Sequence, residues 1–234
     1  PLILLNYSPV AHNALHGAKH DGWTMPLRLC RGIVFDRSGN LIALPFPKFF
    51  NHGEHPEATP PFPEGNFEAT EKYDGHLGII FWYDGKFRIT TRGSFVSPTH
   101  SIADKLLQRY ARVNKWSCYF PFDHSLLVEI IHRNTKVHLA YRGERLVLLG
   151  ARNTVFINDF NRAQLKDLAA KLGLPLAKKW SGTNLQGLKA LMGDRTVKNK
   201  EGFVVRFADG RRVKLKFATY IGKMVAAKLS YGYL

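Results

Sequence analysis

Lys72 stands in the run E-K-Y-D-G-H-L-G, between two apolar segments that read as strands. A lysine amine is a nucleophile once it loses its proton. The Asp74-Gly75 pair that follows supplies a tight turn, because glycine accepts the torsions and the aspartate can bond its own backbone. Such a turn holds the amine at a strand end, aimed at a phosphate. Taken alone, the same residues also describe a surface lysine before an ordinary turn. The rest of the chain separates the two. T-T-R-G-S places Arg92 at a second strand end, and L-L-V-E-I-I sets Glu129 among aliphatic neighbours. E-G-F-V-V-R-F opens on Glu201, and V-K-L-K-F puts Lys214 and Lys216 two apart, hence on one face of a strand. Upstream, C-R-G-I-V-F-D carries Arg31 and P-F-P-K-F-F-N carries Lys48 and Phe50. Each has a plainer role open to it. Glu129 suits the polar position of a half-exposed strand, Glu201-Gly202 a turn, and the two lysines an edge that resists aggregation.

These residues need a scaffold of strands. Strand patterns run over Arg31–Asp36, Leu41–Phe46, Phe67–Lys72, Leu77–Tyr83, Lys86–Arg92, Leu126–Ile131, Arg145–Ala151, Gly202–Phe207 and Arg212–Lys216. Turns at Ser38-Gly39-Asn40, Asp84-Gly85 and Asp209-Gly210 join several of them as hairpins. Helical periodicity predicts Ser101–Val113, Arg162–Leu172 (capped from Asn158 or Asp159), Leu185–Met192 and Tyr220–Leu229. Proline and glycine make Asn51–Asn66 a loop. Short turns between strands, with helices inserted, indicate an α+β fold of mainly antiparallel sheets flanked by helices, not a doubly wound one. No G-x-x-x-x-G-K-[ST] loop occurs, so a nucleotide must be held by side chains on sheets.

The 234 residues are 45% hydrophobic and 22% charged, enough for a real core. A net charge of +16 favours an anionic partner, nucleic acid being the usual one. No acidic residue follows Asp209, whereas Arg211, Arg212, Lys214, Lys216, Lys223 and Lys228 do. Cys30 and Cys118 lie in no metal-ligand spacing, which points to a reducing, cytoplasmic setting. No apolar stretch approaches a membrane span, and the opening P-L-I-L-L-N-Y is too short for a signal peptide. No membrane partner is expected.

In their order, K-Y-D-G, T-R-G-S, V-E-I-I, E-G-F-V and K-L-K resemble the motifs of the covalent nucleotidyltransferase superfamily of ligases and capping enzymes. Within it the chain looks most like the phage-type RNA ligase 1 family. R-G-I-V-F-D, P-K-F-F-N, H-L-A-Y and L-V-L-L-G-A-R-N extend the likeness from about Arg28 to about Gly222. The resemblance implies a ligase-type adenylyltransferase fold, a single domain over residues 1–234 with 1–66 integral to it. A departure from the best-known relatives is also expected, in that their C-terminal helical domain has no counterpart after Tyr220, and the expected state is a monomer.

The implied activity is an ATP-dependent RNA ligase, possible in a virus as well as in a cell. Lys72 attacks the α-phosphate of ATP and becomes lysyl-AMP. AMP then passes to a 5′-phosphate, and a 3′-hydroxyl closes the backbone. Freeing a lysine amine at pH 7 costs roughly 4–5 kcal/mol, which nearby cations reduce. Arg31, Lys48, Lys214 and Lys216 are expected to supply that field, the last two also stabilising charge on the phosphates. By resemblance, Arg31, Lys48, Phe50, Gly75, Arg92, Glu129 and Tyr220 bind ATP, with Phe50 at the adenine and Glu129 at the ribose. Arg92 stands where relatives often carry lysine, and its fork binds oxygens differently. Glu201 is the candidate ligand for Mg2+, with Mn2+ as a substitute. Asp74 is assigned no metal, and His52, His55, His132 and His138 form no zinc spacing.

The expected partner is single-stranded or broken RNA. A ligase for DNA or nicks, a GTP-using capping enzyme, and an inactive ligase-like module that binds nucleic acid remain as alternatives. Strand binding by Arg211, Arg212, Lys223 or Lys228 is a further expectation.

Overall fold

A computed structural model describes residues 1–17, 22–54 and 66–230, apart from the Lys228 side chain. The central part of the expected Asn51–Asn66 loop, residues 55–65, lies outside the described residues, as does His55. In chain order the elements are β1 (Leu2–Asn6), α1 (Pro9–Gly17), α2 (Met25–Leu29), β2 (Arg31–Asp36), β3 (Leu41–Ala43), β4 (Phe67–Lys72), β5 (His76–Tyr83) and β6 (Lys86–Thr91). There follow α3 (Pro98–Val113), β7 (His124–Ile131), β8 (Arg145–Asn153), α4 (Arg162–Leu172), α5 (Leu185–Met192), β9 (Gly202–Phe207), β10 (Arg212–Lys216) and α6 (Ala218–Ser230). Every ladder between named strands is antiparallel, as the hairpin turns predicted. Among the described residues no helix is long and apolar enough to cross a membrane.

The chain divides into two compact units. The first comprises Pro1–Lys48, Gly75–Thr135 and Gly143–Leu176. Its four-stranded sheet runs β6-β5-β7-β8, and a three-stranded sheet runs β1-β2-β3. The apolar stripes of α3 and α4 cover the four-stranded sheet: Leu106, Leu107, Leu168 and Leu172 join Ile80, Val128, Leu146 and Leu148 in one buried cluster. Burying each such side chain contributes about 1.5–3 kcal/mol. Trp116 Nε1 donates to the Leu172 carbonyl at 2.9 Å, so its polar edge is satisfied inside this core.

The second unit comprises the described residues of Phe49–Asp74, Lys136–Arg142 and Ala177–Leu234. Its sheet runs β10-β9-β4. Ala69, Phe203, Val205, Phe207, Val213 and Leu215 face a core that includes Leu188 of α5 and Tyr220 of α6. Side chains alternate along a strand, so Lys72, Lys214 and Lys216 lie on the opposite face. Lys178 and Trp180 bond the β4 backbone, which occupies that strand's outer edge.

Several boundaries differ from the sequence reading. β3 ends at Ala43, not Phe46, because Pro45 and Pro47 interrupt a ladder and Leu44 N donates instead to Ser125 Oγ at 2.8 Å. The N-cap of α4 is Asn161, which forms a capping box with Gln164. Asn158 and Asp159 serve elsewhere: the Asn158 carbonyl accepts from Asn153 N, and Asp159 pairs with Arg152 at 2.7 Å. β1, α1 and α2 were not anticipated. β1 is a half-exposed partner of β2, and α1 starts from a Ser8 cap, its Oγ 3.1 Å from Ala11 N.

Candidate active site

Lys72 closes β4 and is paired in register with Gly202, which in turn is paired with Lys216. Gly202 therefore separates the two lysines and puts no side chain between them. A Cβ there would collide with the Leu215 carbonyl, so only glycine lets β10 lie this close. Glu201, one residue earlier, fills the gap. Its Oε1 is 2.8 Å from Lys72 Nζ and 3.6 Å from Lys216 Nζ. Glu201 is buried, and its Oε2 has no hydrogen-bond partner among the described residues. A buried carboxylate oxygen left open in this way is costly unless something else occupies it.

Lys214 shares the face of Lys216 but sits over the Phe49 ring, Nζ 5.0 Å from its centre. The Lys214 backbone bonds Phe50 O and His52 N, so residues 50–52 run beside β10. Phe50 itself is buried, at 1% exposure. Glu201, expected as a metal ligand, is in this unit the direct partner of Lys72, shared with Lys216.

Asp74 differs more from its expected role. Instead of bonding its own turn, its buried carboxylate accepts from three distant donors. Oδ1 takes the Tyr220 hydroxyl at 2.6 Å, and Oδ2 takes His138 N at 2.7 Å and Leu139 N at 2.5 Å. Asp74 N donates to the Tyr141 hydroxyl at 2.9 Å. The strand end that carries Lys72 is thereby tied to α6 and to the 136–142 segment. Burial, then the bond to Asp74, pushes the Tyr220 phenol well above its ordinary pKa. Lys216 Nζ lies 5.5 Å from the Tyr220 ring centre.

In the other unit, Gly75 N donates to Glu129 Oε1 at 2.9 Å. A Cβ on Gly75 would collide with the Ile130 carbonyl, which accounts for the glycine. Arg31 begins β2; burial lowers its pKa, opposed by Tyr7, while the like charge of Arg92 adds to the lowering. Lys48 is buried, and burial likewise draws its pKa down. Its Nζ lies 4.5 Å from the Trp23 ring and 5.3 Å from the Tyr7 ring, and Arg92 Cζ lies 5.9 Å from Tyr7. Arg31, Lys48 and Arg92 therefore gather round Tyr7, with Trp23 edge-on to it at 5.1 Å. Three cations held together against their repulsion suit an anionic ligand. Sequence reasoning named the cations and missed both aromatics, which sit on or after the unanticipated β1; aromatic side chains beside a basic cluster are the signal that was available.

Among the described residues no three His, Cys, Asp or Glu side chains are arranged to hold a metal by themselves. His132 is engaged by Glu144 at 2.9 Å, and His138 stands edge-on to Tyr220.

Comparison with known proteins identifies the family and the fold. A family model described as RNA ligase matches residues 29–221. A Thermovibrio ammonificans protein named "Putative RNA ligase" is 27% identical over 186 residues, which cover 78% of this chain and 48% of that protein. The fold is similar to an archaeal ATP-dependent RNA ligase, with TM-score 0.65 and 18% identity over 87% of this chain and 56% of that one. It is also similar to a mutant Naegleria gruberi RNA ligase with AMP and Mn, at TM-score 0.55 and 17% identity over 67% of this chain and 51% of that one. The chain thus spans about half the length of the relatives it matches. With the family model covering most of its length, this chain belongs to the phage-type RNA ligase family.

Proposed function

We propose that this chain carries the nucleotidyltransferase chemistry of an ATP-dependent RNA ligase that joins 5′-phosphate and 3′-hydroxyl ends. The observation that carries the reading is the Lys72 amine held 2.8 Å from Glu201, with Lys216 on the same carboxylate oxygen. Lys72 Nζ, once deprotonated, forms a bond to the α-phosphorus of ATP while the bond to the bridging oxygen breaks, and pyrophosphate leaves. A 5′-phosphate oxygen of the RNA then attacks that phosphorus, the P–N bond breaks, and the amine regains a proton. In the last step a 3′-hydroxyl attacks the activated 5′-phosphate and AMP departs.

In this reading Lys216 and Lys214 stabilise negative charge on the phosphates as they change partners. Arg31, Lys48, Arg92, Glu129, Gly75, Phe50 and Tyr220 serve the nucleotide. The burial of Phe50 and Tyr220 favours shaping the site over stacking on the base. Glu201 Oε2 is a hard, buried oxygen without a hydrogen bond among the described residues, and it fits one position of a Mg2+ or Mn2+ shell. Such an ion would supply positive charge at the phosphates, whose oxygens and water would complete its coordination.

Family likeness runs through both units, because the matched span 29–221 crosses every junction between them. We take residues 1–234 as one functional domain, acting as a monomer on single-stranded or broken RNA. The free thiols of Cys30 and Cys118 agree with a reducing cytoplasm.

Intact-mass measurement with ATP and magnesium tests the reading. One AMP adduct is expected on Lys72, absent from Lys72→Ala. An adduct formed from GTP and never from ATP would replace the ligase reading with a capping one. No adduct under either metal would leave a nucleic-acid-binding module.

A further inference from the structure

A groove of about 560 Å³ opens beside Lys216, wholly within the unit that carries Lys72. Its lining carries three cations, Lys214 and Lys216 from β10 and Lys189 from α5, and one carboxylate, Glu54, which Asn51 engages. Apolar side chains share the lining: Met192 ends α5, and Ile221 and Val225 of α6 are 47% and 51% exposed. Burial lowers the His52 imidazole pKa, and Lys189 lies close enough to add to the lowering. Asn51 also lines the groove. Its amide nitrogen is tied to Glu54 at 2.6 Å, while its buried Oδ1 has no hydrogen bond among the described residues.

The composition of the groove selects its ligand. A polyphosphate would use the three lysines and leave the apolar wall and the Asn51 oxygen idle. A purely apolar ligand would strip water from the lysines and offer them no charge in return. The terminal nucleotide of a strand engages all three: phosphate on cations, base on the wall, and a base N–H or ribose hydroxyl on Asn51 Oδ1. The groove also adjoins Lys216, which shares Glu201 with the proposed nucleophile. We infer that this groove holds the 5′-phosphorylated terminal nucleotide of the RNA strand that receives AMP, with Lys189 on its phosphate and Met192, Ile221 and Val225 against its base. The inference rests on the RNA ligase reading and assigns to it residues outside the family's motifs.

Fluorescence anisotropy of a short 5′-phosphorylated RNA and its 5′-hydroxyl twin tests it without requiring turnover. Wild-type protein should prefer the phosphorylated strand. Lys189→Ala should abolish that preference and reduce the slope of log affinity against log salt by about 1. Ile221→Glu should weaken both strands about tenfold, and Val225→Ser provides a milder wall variant should the first fail to fold. In parallel, KM for ATP in lysyl-AMP formation should not move with Lys189→Ala. Equal affinity for the two strands in wild type would overturn the inference. A rise in KM for ATP matching the loss of RNA binding would also overturn it, reassigning the groove to the triphosphate. Lysyl-AMP formed normally with no end preference sinks the groove alone. An end preference lost in Lys189→Ala, in a protein that never forms lysyl-AMP, sinks the ligase reading and keeps the groove.

Discussion

Lys72 and Glu201 meet across neighbouring strands, Nζ 2.8 Å from Oε1, because the residue paired with Lys72 is a glycine and its predecessor turns into the gap. Glu201 has a second cation, Lys216, 3.6 Å from the same oxygen. One carboxylate thus orients the proposed nucleophile and the lysine proposed to bind phosphate together. The arrangement also keeps its other oxygen free of hydrogen bonds among the described residues, at the spot where the proposed chemistry calls for a hard ligand.

Removing that charge while keeping the shape should separate orientation from folding. Glu201→Gln keeps an oxygen near Lys72 but leaves Lys72 and Lys216 without a counter-charge. Lysyl-AMP formation, followed by mass, should fall about 100-fold or more, comparable to losing a preorganised electrostatic group. Stability measured by urea should fall by about 1–3 kcal/mol. An adenylylation rate within threefold of wild type would take Glu201 out of the chemistry.

Burial of the Tyr220 hydroxyl, and then its bond to Asp74, makes stability depend on alkaline pH. The folded-state pKa of Tyr220 is raised above the ordinary value of about 10, so the unfolded chain loses this proton first as pH rises. The contribution is complete below pH 10 and declines above it, by up to about 1.4 kcal/mol per pH unit. Tyr220→Phe should remove this component. The difference between wild type and variant in urea stability should be constant from pH 7 to 9 and shrink from pH 10 to 11. A difference independent of pH would mean that the hydroxyl is not held by Asp74.

The scaffold around these residues was legible in its strands. β2, β4, β9 and β10 follow the predicted bounds; burial alternates along β10 and most of β9, whereas β2 and β4 do not alternate and take their bounds from β-favouring runs ended by turn residues. Parity put Lys214 and Lys216 on one face but could not say which reaches Glu201. The register Lys72–Gly202–Lys216 decides that, and register is set by pairing between segments far apart in sequence. Asp74 was read from its neighbours as a turn residue, whereas Tyr220 lies 146 residues away and His138 lies 64. Tyr7 and Trp23 escaped notice because an isolated aromatic is more often core than ligand contact.

Gly202 should tolerate no side chain. The Leu215 carbonyl and Lys216 Cα that a Cβ would meet are backbone and cannot swing aside, so β10 must move. Gly202→Ala is expected to cost about 2 kcal/mol or more and to draw Lys216 away from Glu201. Gly222→Ala, in α6 with nothing within 4 Å of the added Cβ, serves as the control. It should be neutral or stabilising by up to about 1 kcal/mol, as alanine favours helix. Equal losses from the two variants would contradict the close approach of β10.

The cationic cluster should trade stability for binding. Lys48 is buried beside Arg31 and Arg92, and its lowered pKa reflects burial first and those like charges last. The folded state therefore disfavours its charge, and what it gains in return is contact with Tyr7 and Trp23. Lys48→Met keeps a flexible chain against the same rings and removes the charge. Urea stability should stay within about 1 kcal/mol of wild type, with any change upward, as removal of a desolvated charge predicts. ATP affinity, read as KM in lysyl-AMP formation, should weaken about tenfold or more for the loss of one charge-assisted phosphate contact. Arg92→Lys, which keeps the charge and loses the fork, should weaken ATP less than Lys48→Met does. A Lys48→Met protein that loses more than about 2 kcal/mol yet binds ATP normally would make the cluster a structural ion network.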